Sequence, residues 1–364
     1  MSGGASIKVG LLFDFDQGDG GAYYAAGVRA GLDEVQAESR LGRPVELVIR
    51  QADGLPGGSA ESVVLEFEAL VAEGVSVVLG PSISDNGIVV RDLADALRTP
   101  CVNYTGGAIT RSQWMFHYQV GSLEEEPCVL VDHLRATGRG RVAVLHDDTP
   151  VGHNYALWLD RAVAERGDVA VVSRAAVSPL ATDLGPDVRT VLDAASTAGV
   201  ARQSGRAGPD ALLYLGLGVA ARAVALGVQA CGWDGPVVAN SALMFGYSRR
   251  EWRAGWDGWV YADTISDANV MRARLREQSK ALAASPIGVA AFDMGRLVGC
   301  ALAMADDVTP AAVRDGLERV KRLAAASGKE GTTMGFGQWD HAALKGDALV
   351  LRAWRDGRNV EVEP

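Results

Sequence analysis

The segment VSVVLGPSISDNGIVVRDLADALRTPCVNYTGG, residues 75–107, shows the repeating pattern from which we predict the fold. An apolar run at Val75–Leu79 predicts a strand, Asp85–Leu97 predicts a helix, and Pro100–Tyr104 predicts the next strand. Strands that are apolar along most of their length, separated by a helix, are typical of a parallel sheet with helices on both faces. The segment therefore predicts one strand, helix, strand unit of such a sheet.

The same alternation continues on both sides of this segment, and a helix is predicted at Ala22–Glu38. The strand candidates are Lys8–Phe13, Val45–Arg50, Val75–Leu79, Pro100–Tyr104, Phe116–Val120, Arg141–His146, Val169–Arg174, Ala211–Leu215 and Val237–Asn240. A chain of 364 residues is long enough for two domains. We predict an α/β fold of two doubly wound parallel-sheet lobes, with a break near Gly121–Glu126, where Gly-Ser and an acidic triplet precede Pro127.

Composition excludes several classes of partner. With 35 basic and 45 acidic residues, the formal charge of -10 repels nucleic acid and anionic membranes. The apolar stretches are the length of strands, and a membrane span needs about 20 residues, so we expect no direct membrane insertion. The four cysteines form no CxxC pair, which indicates buried thiols and no zinc or redox motif. We expect a small-molecule ligand.

Two locations are compatible with the first residues. Met1–Ser6 carries no basic region, no apolar run and no cysteine that could accept a lipid. The sequence predicts a cytoplasmic protein if this start is native, and an extracytoplasmic one, at the cell surface or in the periplasm, if a leader has been removed.

Motifs for catalysis are missing from the chain. It contains no GxxxxGK[ST], no GxSxG and no HExxH sequence. His146 and His153 flank Asp147 and Asp148, but the segment reads as a strand end and a helix start, where carboxylates commonly cap. We therefore predict a protein that is not an enzyme and that has no cofactor, no catalytic residues and no metal site.

One glycine pattern resembles a dinucleotide-binding loop. Gly216, Gly218 and Ala221 match GxGxxA after the strand Ala211–Leu215. That fingerprint also needs an acidic residue at the end of the following strand, and Asp234 precedes its strand. The pattern favours a close backbone approach at a ligand cleft or a tight turn, and a nucleotide-dependent enzyme stays an alternative.

Three loops follow strands of the first half and are candidates for ligand binding. In open parallel sheets, ligands bind beyond the carboxyl ends of the strands, where loops and helix N-termini present unpaired amides. The three loops are Asp14, Phe15 and Asp16; Gly80, Pro81, Ser82, Ile83 and Ser84; and Thr105, Gly106 and Gly107. We expect them to lie together at one edge of the sheet.

Eight segments in order carry a resemblance to a known family. They are GPSIS, TPCVNYTGG, FHYQVGS, RVAVLHDDTPVG, TDLGPDV, PDALLYLGLG, FDMGRLV and GQWDHAALKGD. In this order they resemble the branched-chain amino-acid binding proteins of ABC transporters, of the type I periplasmic-binding-protein class, over nearly the whole chain. The resemblance implies two lobes, residues 7–122 plus 263–337 and 123–262 plus 338–364. The chain would cross near Ser122, near Tyr247–Trp259 and near Gly337, and would hinge shut around a ligand.

The resemblance also implies site residues. In the first lobe, Ser82 and Thr105–Gly107 would hold the polar end of the ligand. In the second lobe this chain departs from the family, because it has Val151 and Leu217 where the amino-acid binders have aromatic residues. It has Asn240 and Ser241 where an acid meets the ligand ammonium. A buried ammonium without a carboxylate costs several kcal/mol, so we expect a ligand other than an ordinary amino acid.

The remaining candidates concern the pocket lining and its charge. Tyr23, Tyr104, Val151, Leu217, Met244 and Phe245 would give an apolar lining, which suits an apolar, aromatic or amide ligand. Asp14, Asp16, Glu124 or Glu125 could supply a substitute negative charge, and a solvated helix start also explains the two glutamates. We expect the receptor component of an ABC importer, with a transporter permease as partner. An intracellular ligand sensor with the same fold is the alternative.

Overall fold

The computed structural model describes residues 6–14, 20–38, 41–119, 121–197, 208–248 and 250–363. The chain divides into two compact units, each formed by two separate stretches of sequence. Unit 1 is Met1–Val120 with Thr264–Ala348, and unit 2 is Gly121–Asp263 with Leu349–Pro364. The chain therefore passes from one unit to the other three times.

The first stretch of unit 1 alternates strands and helices as predicted. Its elements are β1 (Ile7–Phe13), α1 (Gly20–Ala37), β2 (Val45–Gln51), α2 (Ala60–Ala72), β3 (Val77–Leu79), α3 (Ser84–Leu97), β4 (Cys101–Asn103), a 3-10 helix (Ala108–Thr110) and β5 (Met115–His117). The strands form one parallel sheet in the order β2-β1-β3-β4-β5. This order places the carboxyl ends of β1, β3 and β4 side by side.

The first stretch of unit 2 repeats the alternation. Its elements are α4 (Glu126–Ala136), β6 (Arg141–Asp147), α5 (Pro150–Arg166), β7 (Ala170–Val177), α6 (Gly185–Thr197), β8 (Ala211–Leu215), α7 (Ala221–Ala230), β9 (Val237–Ala239), 3-10 helices at Ser241–Ser248 and Arg250–Trp256, and β10 (Val260–Asp263). Strands β7, β6, β8, β9 and β10 are neighbours in that order and run parallel. The α/β class with two parallel sheets is thus confirmed.

The chain then returns to each unit once. In unit 1 it forms α8 (Val270–Gln278), α9 (Lys280–Ala284), α10 (Pro286–Met304), α11 (Pro310–Arg319), β11 (Leu323–Ala324), β12 (Thr333–Met334) and β13 (Leu344–Lys345). The last three make a small antiparallel sheet. In unit 2 it forms β14 (Val350–Arg355) and β15 (Arg358–Val362), which extend the large sheet beside β10 with antiparallel pairing.

The third crossing lies later in the chain than the sequence analysis placed it. Residues 338–348 belong to unit 1, not to the second lobe. The reason is backbone pairing, since β13 pairs with β12 and the N–H of Ala343 donates to the carbonyl of His117. The crossing therefore follows Ala348 and does not lie near Gly337.

Helix α10 lies in the core of unit 1. Among the described residues it is the one helix that is long and apolar enough to cross a membrane, yet 89% of its most apolar window is buried in the protein. It packs against α1, where a Cβ at Gly31 would overlap the carbonyl oxygen of Phe292. This burial is typical of the core helix of a folded domain.

Candidate functional site

At the edge of unit 1 the carboxylate of Asp14 connects two neighbouring strand ends. It accepts hydrogen bonds from the N–H of Ser82 (2.8 Å), the hydroxyl of Ser82 (2.7 Å), the N–H of Ile83 (3.0 Å) and the amide of Asn86 (2.8 Å). The side chain is fully buried, and burial raises the pKa of Asp14 while these hydrogen bonds oppose the rise. Asp14 thus fixes the Ser82 loop, and direct ligand binding by Asp14 stays a prediction.

The turn that leads into this loop requires glycine. Gly80 has φ +111°, and a Cβ there would overlap the carbonyl oxygen of Leu12 in β1. A left-handed backbone with no room for a side chain is accessible to glycine alone at low cost. Gly80 therefore brings the Ser82 loop close to the end of β1.

Thr105, the second predicted contact, is held by polar groups of its own unit. Its hydroxyl donates to Oδ1 of Asn103 (2.9 Å) and lies 3.2 Å from the hydroxyl of Thr110. Its carbonyl accepts from Nε2 of His117 at 2.6 Å. Burial and the nearby Arg111 charge lower the pKa of His117 to about 3, so the imidazole is neutral at pH 7. The Thr105 loop is fixed from both sides.

Two kinds of N–H group point to a ligand with a hydrogen-bond acceptor. Among the described residues, the N–H of Gly106 has no hydrogen-bond partner. Helix α3 begins at Ser84 after Ile83, whose side chain supplies no cap, and Oγ of Ser84 accepts from the N–H of Gly107 at 3.2 Å. An uncapped helix N-terminus attracts anions and carbonyl oxygens.

The predicted aromatic residues of unit 1 differ in their surroundings. Tyr104 is buried and stacks on Tyr24, with ring centroids 4.8 Å apart. Tyr23 is partly buried and packs against an apolar cluster of unit 1 that includes Ile265 and Phe292. Phe15, Asp16 and the side chain of Phe245 lie outside the part of the chain that the structure describes.

The edge of unit 2 is formed by the ends of β6, β8 and β9, which are neighbours in the sheet. Val151 and Leu217 are buried apolar side chains, and Met244 is buried as well. Asn240 pairs with the backbone of Gly216, accepting from its N–H (3.2 Å) and donating to its carbonyl (2.8 Å). The predicted second-lobe residues therefore share one strand edge.

Asp147, at the end of β6, is a buried acid of this edge. Its carboxylate accepts from the hydroxyl of Tyr214 at 2.9 Å and from the N–H of Leu217 at 2.6 Å. A Cβ at Gly216 would overlap this carboxylate, and Gly218 has φ +79°. The GxGxxA glycines thus accommodate a carboxylate of the protein itself, and the Leu217 amide is already engaged by it.

Glu126 is the second buried acid of this edge and the first residue of α4. Its carboxylate accepts from the N–H of Ser122 (2.5 Å), the hydroxyl of Tyr155 (3.2 Å), and the N–H (2.7 Å) and hydroxyl (2.8 Å) of Ser241. Burial raises the pKa of Glu126 to about 7, against the effect of these hydrogen bonds. Its neighbours Glu124 and Glu125 are half-buried and exposed respectively.

The histidine and aspartate pairs span the end of β6 and the first turn of α5. Nε2 of His153 lies 2.9 Å from Asp148, and Thr149, not an aspartate, caps α5 by accepting from the N–H of Gly152. Among the described residues, no group of three or more His, Cys, Asp or Glu side chains is placed to hold a metal ion.

Sequence reasoning did not identify Glu126, Asp147 and His117 as site residues. One signal for Glu126 was present, because Glu126, Leu130 and Leu134 follow each other at intervals of four and share the buried face of α4. No local pattern marked Asp147 or His117, since their partners Leu217 and Arg111 are identified only when the chain is folded.

Solved structures with the same fold come from several bacteria. A periplasmic binding protein type 1 from Bordetella pertussis Tohama I has TM-score 0.80 and 16% identity, with 98% of this chain and 100% of that chain covered. An ABC transporter substrate-binding protein from Desulfitobacterium hafniense, solved with Leu, has TM-score 0.79, 16% identity and coverage of 98% and 100%. A branched-chain amino acid transporter substrate binding protein from Streptococcus pneumoniae, in complex with isoleucine, has TM-score 0.78, 16% identity and coverage of 99% and 100%.

The comparison with curated proteins gives no match. The family model described as periplasmic binding protein matches residues 6–346, which is most of the chain. The proteins of this family and its structural relatives are substrate-binding proteins and not enzymes. This match and the two-unit α/β fold agree, and the chain belongs to the periplasmic binding protein family.

Proposed function

We propose that this protein is the receptor component of an ABC importer and that its units close on a small organic ligand without an ammonium group. The ligand class that we favour is an apolar, aromatic or amide compound with one hydrogen-bond acceptor. Family membership supports the receptor role, and relatives with this fold have been solved with Leu and with isoleucine. Those relatives show the scale of ligand that the fold accepts.

The proposed ligand class is supported mainly by the hydrogen bonding of the two buried acids at the unit 2 edge. Glu126 accepts four hydrogen bonds from Ser122, Tyr155 and Ser241, and Asp147 accepts from Tyr214 and Leu217. Carboxylates that are buried among donors of the protein are poorly placed to bind a ligand ammonium. An ammonium left without a carboxylate in such a site loses several kcal/mol of binding.

The edge of unit 1 supports the other half of the proposal. The unbonded N–H of Gly106 and the uncapped N-terminus of α3 are donors that suit a carboxylate or amide oxygen. Val151 and Leu217 in unit 2 are buried apolar side chains beside the strand ends of the other edge. A ligand with an oxygen acceptor at one end and an apolar body matches both edges.

Membership of this family also supports an extracytoplasmic location and a membrane permease as the partner that receives the ligand. A receptor that contacts its ligand with both units binds it best in the closed form, so the ligand shifts the population toward that form. Closure of this kind requires no chemical step.

A thermal-shift and calorimetry panel of matched pairs tests the proposal. Leucine is compared with 4-methylpentanoate, and phenylalanine with 3-phenylpropanoate, so that the members of each pair differ in the ammonium alone. The amides of the two acids are added as neutral compounds. We expect the compounds without an ammonium to raise the Tm and to bind at least about tenfold more tightly, which corresponds to 1.4 kcal/mol. Tighter binding of leucine than of 4-methylpentanoate would contradict the proposed ligand class.

A variant at the Thr105 loop tests whether the compound binds at the predicted edge of unit 1. Thr105→Leu adds bulk beside Gly106, and we expect it to weaken binding of the best compound while the protein stays folded by circular dichroism. Thr137→Leu, at an exposed threonine of unit 2, is the matched control. Equal affinity of wild type and a folded Thr105→Leu variant would show that the ligand binds elsewhere.

A further inference from the structure

A second pocket lies on unit 1, outside the loops described above. Its volume is about 510 Å³, and its lining includes Arg111, Arg314, Gln338, Trp339, Asp340 and His341. Pockets that bind small organic molecules span about 300 to 1,000 Å³. The pocket is therefore large enough for a ligand of its own.

Trp339 is the most exposed large apolar side chain of the described residues, at 93%. It lies in a turn that is closed by two backbone hydrogen bonds. The N–H of Gly337 donates to the carbonyl of Asp340 (2.8 Å), and the N–H of Asp340 donates to the carbonyl of Gly337 (3.3 Å). The turn thus holds the backbone of Trp339 at the pocket, and the indole ring is exposed to water. An exposed indole ring offers an apolar face on which an aromatic ring of a ligand can stack.

Arg111 supplies a positive charge to the pocket, with hydrogen-bonding capacity at its terminal nitrogens. Its Nε donates to Nδ1 of His117 at 3.0 Å, while its two terminal nitrogens have no hydrogen-bond or ion-pair partner among the described residues. Arg314 is engaged, because it donates to the carbonyl of Gln113 and to the carboxylates of Asp315 and Glu318. A guanidinium with two unbonded terminal nitrogens matches the geometry of a carboxylate.

The acid of the pocket lining pairs with a lysine and also lies within reach of the Arg111 charge. Asp340 accepts from the N–H of Ala342 at 3.0 Å and pairs with Lys345. Partial burial raises the pKa of Asp340, but Lys345, the Ala342 amide and the weaker effect of the Arg111 charge outweigh it and hold the pKa below its usual value. His341, the other titratable group here, is engaged with the carbonyl of Ser112 and with Glu318.

We propose that this pocket is a second binding site, for a small organic carboxylate with an aromatic ring, held by the terminal nitrogens of Arg111 and by the indole of Trp339. The site does not depend on the proposed function, because none of its residues belongs to the two ligand edges.

The same residues connect the pocket to the Thr105 loop. Arg111 donates to Nδ1 of His117, and Nε2 of His117 donates to the carbonyl of Thr105 at 2.6 Å. Both hydrogen bonds require a neutral imidazole with its proton on Nε2, and the lowered pKa of His117 agrees with this form. A carboxylate that draws the Arg111 guanidinium into the pocket therefore alters the position of the Thr105 loop.

Fluorine NMR of the full chain labelled with 5-fluorotryptophan tests the site. Trp339→Phe identifies the Trp339 signal among the eight tryptophans, and benzoate is titrated beside benzamide, its neutral counterpart. We expect a saturable shift of the Trp339 signal at millimolar benzoate and none with benzamide. Arg111→Gln should weaken this response about tenfold or more, because hydrogen bonds to charged groups are among the stronger ones. Arg274→Gln, at an exposed arginine of unit 1, should leave the response unchanged.

The remaining tryptophan signals show whether the Arg111→Gln variant is folded. A second variant, Arg111→Lys, keeps the charge and loses the planar group, and we expect it to give an intermediate response. An absent shift, an equal shift with benzamide, or a shift that persists in folded Arg111→Gln would overturn the site. Benzoate bound at the Thr105 edge would give a response that Thr105→Leu abolishes and Arg111→Gln does not, so the two proposals fail separately.

The connection from Arg111 through His117 to the Thr105 loop has its own test. The amide signals of Thr105 and Gly106 should shift with benzoate in wild type and not in Arg111→Gln. Unchanged amide signals in wild type with a saturated pocket would disprove the connection.

Discussion

The carboxylate of Glu126 accepts two hydrogen bonds from Ser241, one from its N–H at 2.7 Å and one from its hydroxyl at 2.8 Å. The two residues are 115 positions apart in the chain. By the resemblance to amino-acid binders, Asn240 and Ser241 occupy the positions where those proteins have the acid that meets the ligand ammonium. The structure shows that an acid from another element lies beside Ser241 and is bonded to it.

The buried acid Glu126 should make stability depend on pH. Its pKa is about 7 in the folded protein and 4.5 for an ordinary glutamate, so between these values the folded state binds more protons than the unfolded state. The free energy of unfolding therefore falls as the pH rises through this window, by about 3 kcal/mol when the difference is converted at about 1.4 kcal/mol per pH unit. We expect Glu126→Gln to remove this dependence, measured as the difference between wild type and variant in urea unfolding from pH 4.5 to 7.5. The exposed Glu125→Gln should keep it, and the same pH dependence in Glu126→Gln would contradict the prediction.

Replacing Asp14 should loosen the Ser82 loop. Asp14→Asn loses the charge that four hydrogen bonds share, and its amide N–H₂ replaces one carboxylate oxygen and so faces the donors of either Ser82 or Ile83. We expect a loss of about 2 to 3 kcal/mol in the free energy of unfolding, the scale of hydrogen bonds to charged groups. Hydrogen exchange at the Ser82 and Ile83 amides should also become faster. Asp92→Asn, at an exposed side chain, is the control, and unchanged exchange in Asp14→Asn would show that this carboxylate does not order the loop.

A methyl group at Gly216 should disturb the acid at the end of β6. The Cβ of alanine would overlap the carboxylate of Asp147, whereas at Gly42 it would meet nothing within 4 Å. We expect Gly216→Ala to lower the free energy of unfolding by about 1 to 3 kcal/mol, as is usual for excess volume in a packed site, and Gly42→Ala to have little effect. Urea unfolding compares the two variants, and similar midpoints for both would count against the close approach.

His117 should remain neutral far below the usual pH. An ordinary histidine protonates near pH 6.5, and burial with the Arg111 charge lowers the pKa of His117 to about 3. Because the unfolded state binds the proton first, the free energy of unfolding should fall as the pH drops from 6.5 toward 3. Nitrogen-15 NMR of the side chain should show the neutral form with its proton on Nε2 from pH 7 to about pH 4.5. Protonation of His117 near pH 6.5 in the folded protein would refute this assignment.

Strands β1 to β9 could be predicted from the sequence, whereas β10, β14 and β15 of the larger sheet were not among the strand candidates. The strand predicted at Ala211–Leu215 has those bounds in the structure, and the strand predicted at Lys8–Phe13 begins one residue earlier, at Ile7. The signal is local, because a parallel strand covered by helices is apolar along its length. Strands β11 to β13 were not predicted, since each has two residues and its pairing partner lies several residues or more away along the chain.

For the candidate site, the sequence determined the loops and the structure determined their partners. Strand ends located Ser82, Thr105, Val151, Leu217 and Ser241 at sheet edges, because the ends of parallel strands meet there. The partners of the buried acids lie 4 to 115 residues away, so only the tertiary structure could show that Glu126 and Asp147 are already engaged by donors of the protein. The sequence by itself therefore established the family and the edges. The burial and hydrogen bonding of Glu126 and Asp147 arise only when distant segments pack together.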